Sequence, residues 1–510
     1  MPSFAVPPSA RYRPDPRYLA LGDGFADVVE PARFPVHVLR HRDDRWAARI
    51  GLDALTDAEW ESHFARFEPL PDNLPEPLAL RYHGHQFGSY NPALGDGRGF
   101  LFAQLRDAGD DRLLDLGTKG SGATPYARGG DGRLTLKGGV REILAAELLA
   151  ARGVDTCKIV SVFETGERLW RGDEPSPTRS CVLVRLSHSN LRIGTFQRHA
   201  YHRDGARLGA LVDYAVEHHF PAARRGDQAA TVAALLRLVV ERAAVTVAAW
   251  TVAGFVHGVL NTDNLNITGE SFDYGPWRFL PAYDLGFTAA YFDETGFYAF
   301  GRQPNAVLWN LGRLAETLLP LAGRDVLEDS LGAFEPTFHA AVRHAFLDRL
   351  GLAPRGDAAD DVVMDACYAF LAARRIELDR FYFDWYGGEA SAARALAGPA
   401  AAHYAHPEFT EVRRAWAEHL PAAPERLAHA YYDGPGPCSL LIDEVEALWA
   451  PIAERDDWAP RRQAGPDPRV RRPPRPRPIK TTCPERHVRW GIALRTCRIG
   501  HVPTFIASGA

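Results

Sequence analysis

The stretch that decides the fold is His257-Gly-Val-Leu-Asn-Thr-Asp-Asn264, HGVLNTDN, with Asp273-Tyr-Gly275 beginning nine residues beyond it. It is entered directly from TVAALLRLVVERAAVTVAAWTVAGF at 231–255, which is apolar nearly all round. Such a helix is a buried one, so the polar loop emerges inside the protein. A further helix is expected over AVLWNLGRLAETLLPLAG at 306–323. Asn264 and Asp273 supply an amide oxygen and a carboxylate, hard ligands of the kind Mg²⁺ takes alongside nucleotide phosphates and water. Asp263 is the one remaining carboxylate of the loop, and an Asx turn within Thr-Asp-Asn is its alternative employment.

Working outward toward the N-terminus, short apolar runs (FLFAQL at 100–105, DRLLDLG at 111–117, CVLVRL at 181–186) are broken by glycine clusters, as in an antiparallel sheet with turns. One helix interrupts them, VREILAAELLAARG at 140–153, with Ile143, Leu144, Leu148 and Leu149 at helical spacing before Gly153. Of the 59 basic side chains only Lys119, Lys137, Lys158 and Lys480 are lysines. Arginine serves wherever a generic cation would do, so Lys119, set between glycines, reads as a compact ammonium reaching a phosphate. Glu142, on the first turn of the 140–153 helix, is placed to pair with it, with Glu147 as the competing partner. Arg185 and Arg192 add two forked cations suited to a triphosphate. Two Gly-Asp-Gly-Arg cores, Gly95 to Arg98 and Gly130 to Arg133, permit close backbone approach to phosphates, although either alone also makes an ordinary hairpin turn.

Composition limits the alternatives. At 510 residues the chain exceeds the size of a single core, so two or more packed parts are expected. A net charge of −5 favours neither nucleic acid nor an anionic membrane. No signal peptide and no bilayer-length apolar run is apparent, which points to a cytoplasmic protein, and a monomer is expected. Six scattered cysteines lack a C-x-x-C pair, and His83-x-His85 lacks a nearby third ligand. The segments expected are an N-terminal extension over 1–75 containing a short helix in TDAEWESHFARF, a glycine-rich sheet region over 76–204, a helical region over 205–330, peripheral helices over 331–458, and an atypical Pro/Arg-rich tail over 459–510.

The order glycine loop, strand, Lys119, helix with Glu142, buried helix, HGVLNTDN, DYG is the succession found in protein kinases. It predicts an α+β, protein-kinase-like two-lobed fold: an antiparallel-sheet N-lobe with one key helix, a mainly helical C-lobe, and terminal extensions. Val259 stands where a kinase carries its catalytic Asp. Together GHQFG, LGDGR, LGTKGSGATPYARGGDGR, VREILAAE, SHSNLRIGTFQ, HGVLNTDN and DYGP resemble the selenoprotein O family of protein adenylyltransferases.

The resemblance implies a pseudokinase fold that binds ATP flipped relative to a kinase, so that the α-phosphate faces the acceptor. It implies nucleotide contacts from Gly95, Gly97, Arg98, Lys119, Asp131, Gly132, Arg185, Arg192 and Asp273, with Glu142 paired to Lys119. It further implies Asp263 as proton acceptor and Asn264 and Asp273 as ligands of Mg²⁺ or Mn²⁺. The expected reaction is transfer of AMP from ATP, or of UMP from UTP, to Ser, Thr or Tyr hydroxyls of proteins with release of pyrophosphate. An inert nucleotide-binding scaffold and a conventional γ-phosphoryl kinase are the alternatives. The family usually has Arg at the position of Ala123 and often Ser at that of Ala127. Its C-terminal redox cysteine motif is not recognisable after Ala459, so no redox role is carried to Cys483 or Cys497.

Overall fold

The computed structural model describes residues 8–459; the Pro/Arg-rich tail beyond, with Cys483 and Cys497, lies outside them. In chain order the strands of the first half are β1 (Ala26–Val28), β2 (Val38–Arg42), β3 (Leu78–Leu80), the small hairpin β4 (Gly84–Gln86) and β5 (Ser89–Asn91), then β6 (Leu101–Arg106), β7 (Leu113–Lys119), β8 (Leu134–Thr135), β9 (Lys158–Leu169) and β10 (Thr178–Ser187). All but the hairpin form one antiparallel sheet ordered β1-β3-β6-β7-β10-β9-β2, with β8 joined to β10. Its two outermost strands come from the segment before residue 76. The mixed α/β character, the antiparallel sheet and the helical second half are as the sequence predicts.

Side-chain alternation divides this sheet between two cores. Val182, Val184 and Leu186 of β10 face one core, in which Trp60, Phe64, Phe67 and Ile50 of the N-terminal segment cover the sheet. Cys181 and Leu183 face the other, which continues into the helical half of the protein. In β6 the faces exchange at a bulge between Leu101 and Ala103, so Phe102 and Ala103 share one core. Every residue of β7 is buried, as befits a central strand covered on both sides. Of the helices in the covering segment, α1 (Asp44–Arg49) is capped by Asp43. The second, α2 (Asp57–Phe64), starts in a Thr56–Glu59 capping box.

The next helix, α3 (Leu136–Ala151), begins at Thr135, whose hydroxyl accepts from the Gly138 N–H. Gly139 presses it onto β10: a Cβ there would lie 2.6 Å from Cys181 Sγ. That contact sets the depth at which Glu142 enters the protein. After β10 come α4 (Ile193–Tyr201), α5 (Gly205–His218) and α6 (Gln228–Ala253). The N-cap of α6 is Asp227, and it ends at Gly254 in the left-handed region, φ +66°. It packs against α7 (Gln303–Leu318), α8 (Arg324–Leu331) and α9 (Phe334–Leu350).

Directly after α6, β11 (Phe255–Val256) pairs with β12 (Arg278–Phe279). Both HGVLNTDN and Asp273 therefore hang from one ribbon between these strands. Further helices fill residues 357–455. No helix among the described residues is long and apolar enough to cross a membrane.

Candidate active site

The end of β7, the first turns of α3, the end of β10 and the β11–β12 excursion meet around a buried ion cluster. Lys119 Nζ donates to Glu142 Oε1 at 2.5 Å and to Asp273 Oδ1 at 2.7 Å. Asn264 Nδ2 donates to Asp273 Oδ2 at 2.9 Å, and Arg185 Nη1 lies 3.6 Å from Asp273 Oδ1. Burial alone would raise the Asp273 pKa, but Lys119, Arg185 and Arg192 outweigh it and hold the carboxyl well below its ordinary range. The backbone of Asp273 is itself unusual, with φ +64°. A non-glycine residue pays for that conformation, and here it turns the carboxylate toward Lys119.

Two aromatic rings set the arginines in place. Arg185 and Arg192 lie over Phe272, their guanidinium carbons 5.1 and 5.0 Å from its centroid, and Arg192 also lies over Tyr82 at 4.6 Å. Arg192 Nη1 donates to the Asp263 carbonyl at 2.8 Å, and its Nη2 to Asp96 Oδ1 at 3.3 Å. His257 is committed to structure, its Nε2 3.0 Å from the Phe272 carbonyl. Thr262–Asn264 form a single 3₁₀ turn, closed by the Asn264 N–H on the Asn261 carbonyl. Asp263 is buried at 8% exposure. Burial, opposed by Arg192, pushes its pKa up to about 6.

Six buried polar atoms of this cluster have no hydrogen-bond partner: Glu142 Oε2, Arg185 Nε and Nη1, Arg192 Nε, Asp263 Oδ1 and Asn264 Oδ1. Each would cost on the order of 1–3 kcal/mol if left so. The set combines cationic donors with oxygen acceptors at one place, which suits an anionic ligand accompanied by a divalent cation. The Asp273 carboxylate and the unpartnered Asn264 Oδ1, on the amide whose Nδ2 donates to that carboxylate, are hard oxygen donors of the kind Mg²⁺ or Mn²⁺ takes.

The glycine loop lies over this cluster, and its glycines answer to a ring. A Cβ on Gly95 would stand 2.3 Å from the Tyr126 ring, and one on Gly97 2.8 Å from the Tyr126 carbonyl. A Cβ on Gly132, which sits at φ +70°, would fall 2.1 Å from the backbone nitrogen of Ala123. The two Gly-Asp-Gly-Arg loops are thus stacked through Tyr126 and Thr124, whose hydroxyl donates to the Asp96 carbonyl.

The family profile of protein adenylyltransferase SelO matches residues 9–464. A Synechocystis protein named protein nucleotidyltransferase YdiU is 41% identical over 478 residues, covering 88% of this chain and 95% of its own. The Gloeobacter violaceus protein of the same name is 42% identical over 465 residues, covering 88% and 92%. That from Bradyrhizobium diazoefficiens is 36% identical over 419 residues, covering 81% and 83%. The chain belongs to the SelO family. Membership makes it a nucleotidyltransferase.

Of the residues that the SelO resemblance singles out, Lys119, Glu142, Arg185, Arg192, Asp263, Asn264 and Asp273 come together in the cluster, and Gly95 and Gly97 lie in the loop above it. Arg98 is exposed. Asp131 pairs with Arg171 at 2.9 Å rather than turning inward, and Gly132 follows it in that outer loop. Glu147, the competing partner for Lys119, pairs instead with Arg45 at 2.9 Å. Asp96, Tyr82 and Phe272 are site residues that the sequence reading did not assign. Asp96 stands inside the LGDGR motif, where the nucleotide expectation falls on Gly95, Gly97 and Arg98. His83 and His85 hydrogen-bond to Tyr90, Arg198 and Gln197.

A second ionisable group, Asp155, His188 and Glu270, brings its ligand atoms within 4.8 Å of one another. The two carboxylates flank opposite ring nitrogens of His188, at 3.8 and 3.7 Å, and Arg112 Nη1 lies 2.6 Å from Nε2. One nitrogen of His188 and one oxygen of each carboxylate are close enough to face a single cation, with Arg112 the positive charge already at that histidine.

Proposed function

We propose that the protein transfers AMP from ATP to the hydroxyl of Ser, Thr or Tyr in protein acceptors and releases pyrophosphate, on a kinase-like two-lobed scaffold. The observation carrying this reading is Asp263: a buried carboxylate with a free Oδ1, on the same short ribbon as Asn264 and as Asp273, which binds both Asn264 and Lys119. Lys119, fixed by Glu142, and the stacked Arg185 and Arg192 offset the triphosphate charge, with Asp96 holding Arg192 in register. Gly95 and Gly97 keep the overlying loop thin enough to lie against a nucleotide.

Asp263 Oδ1 takes the proton of the acceptor hydroxyl as its oxygen bonds to the α-phosphorus and the bond from that phosphorus to the bridging oxygen breaks. Ionised above pH of about 6, Asp263 is a competent acceptor at neutral pH. Asn264 Oδ1 and Asp273 would hold Mg²⁺ or Mn²⁺, which supplies charge neutralisation at the phosphates. Positioning and charge stabilisation account for the remainder.

Incubation with α-labelled and, separately, γ-labelled ATP in the presence of protein acceptors tests the reading, with labelled UTP as a third arm. Label on protein from the α-position of ATP is expected. Label from the γ-position alone would make the protein a conventional kinase. Metal-dependent nucleotide binding with no product or pyrophosphate would make it an inert scaffold.

A further inference from the structure

Beside the catalytic loop the surface carries four solvent-exposed aromatic side chains in mutual contact. Phe87, Phe292 and Phe297 are 37–48% exposed and Tyr291 is 82% exposed. Phe87 lies 6.0 Å from both Phe292 and Phe297, and Tyr291 lies 5.2 Å from Phe292, between ring centroids. A contiguous exposed apolar patch is a common mark of an interaction site on a protein surface.

The patch is built rigidly. Asp293 caps its own loop, accepting from the Phe297 N–H at 2.7 Å and the Tyr298 N–H at 2.8 Å. Successive turns at Ala290, Asp293 and Gly296 close the backbone around it. Phe87 is held at φ +47°, a conformation that a bulky residue adopts only under constraint. These rings are presented by ordered backbone.

The same scaffold holds the catalytic loop. Asn261 Oδ1 accepts both the Phe87 N–H at 3.2 Å and the Tyr298 hydroxyl at 2.7 Å. Thr262 Oγ1 accepts the His85 N–H at 2.7 Å, and a Cβ on Gly84 would lie 3.1 Å from Asp263 Oδ1. The aromatic surface is therefore joined to the Asp263 turn through Asn261 and Thr262.

We propose that this shelf is the docking surface for the acceptor polypeptide: an extended or flexible segment that places an apolar or aromatic side chain at a fixed offset from the modified hydroxyl. The inference rests on the transfer reaction proposed above. The continuity with Asp263 selects the acceptor as occupant. The described C-terminal end, by contrast, sits at the sheet edge, with Trp458 under Arg40 of β2 at 5.2 Å.

The test uses the full chain and oriented peptide libraries with a fixed central Ser, Thr or Tyr and one apolar position scanned across the flanks, read by α-labelled ATP. Wild type should select an apolar residue at one fixed offset. In the Tyr291→Ser/Phe292→Ser double variant that selection should vanish, and the peptide KM should rise by about tenfold with the dissociation constant for ATP unchanged. Trp170→Ser, an exposed aromatic elsewhere, serves as control and should leave the peptide KM as it is. Transfer without positional preference, or an unchanged peptide KM in the double variant, overturns the docking inference and leaves the transfer reaction standing. Label from the γ-position alone overturns the reaction itself, and the inference with it. Dimer dissociation by the double variant, or protection of Tyr291 that disappears on removing residues 460–510, would assign the shelf to another occupant and likewise overturn it.

Discussion

Asp263→Asn separates a proton acceptor from a turn-forming residue, because asparagine preserves the volume and the capacity for an Asx turn while removing the basic oxygen. If Asp263 is the acceptor, the variant should lose about 10²–10⁴-fold in transfer rate, or roughly 3–5 kcal/mol of transition-state stabilisation. Nucleotide binding should be little changed, since Lys119, Glu142 and Asp273 bond to one another and not to the Asp263 carboxylate.

The structure adds a stability term of opposite sign. The folded-state pKa of Asp263, about 6, lies above its ordinary 3.8. The ionised group therefore opposes folding at neutral pH, by up to about 3 kcal/mol at 1.36 kcal/mol per pKa unit. The stabilisation that this carboxyl gives when protonated is complete below pH of about 4 and is lost as pH rises through about 6. Asp263→Asn should accordingly raise Tm by about 1–3 °C at pH 7.5, with the difference vanishing near pH 4. Pyrophosphate release under saturating nucleotide, beside thermal melts at both pH values, checks each half. A variant that keeps within about threefold of the wild-type rate would refute the acceptor role and leave Asp263 as a turn residue.

The remaining expectations concern neighbouring groups. Wild-type transfer should fall about tenfold per pH unit below about pH 6 as Asp263 takes up its proton, while the residual rate of Asp263→Asn stays flat through that range. Asp273→Ala should abolish metal-dependent nucleotide binding and activity together, read by calorimetry with and without Mg²⁺, because it removes the anion on which Lys119, Arg185 and Asn264 converge. Lys119→Ala should weaken both binding and turnover. Lys119→Arg should fail to restore them, since a planar fork cannot replace a point charge bridging Glu142 and Asp273. Gly95→Ala should lower nucleotide affinity with little effect on the turnover rate at saturation, because its Cβ would meet the Tyr126 ring at 2.3 Å and part the two loops.

What the sequence determined by itself were the properties written in local signals. The apolar stretch at 231–255 announces α6, which the structure bounds at Gln228–Ala253 between an Asp227 N-cap and a left-handed Gly254. The α2 capping box lies wholly within residues 56–59. The glycine-broken apolar runs and the long apolar stretch before HGVLNTDN were enough to specify an antiparallel sheet followed by helices, and the motifs named the residues that meet around Lys119.

Strands β1 and β2 were not legible, because three and five residues carrying no clear alternation acquire strand geometry only by pairing with β3 and β9. Tertiary structure alone chose between Glu142 and Glu147. Five residues apart, they point from different sides of α3, and the pressure of Gly139 on β10 decides which one meets Lys119. It also turned Asp131 outward to Arg171 and brought Asp96 to Arg192. It raised the pKa of Asp263, which depends on burial and on a cation 71 residues away in sequence. A side chain's chemistry and a helix's ends are set within a few residues, whereas charge, solvation and partnership are set by packing between distant ones. Lys119 and Asp273 are joined across 154 positions.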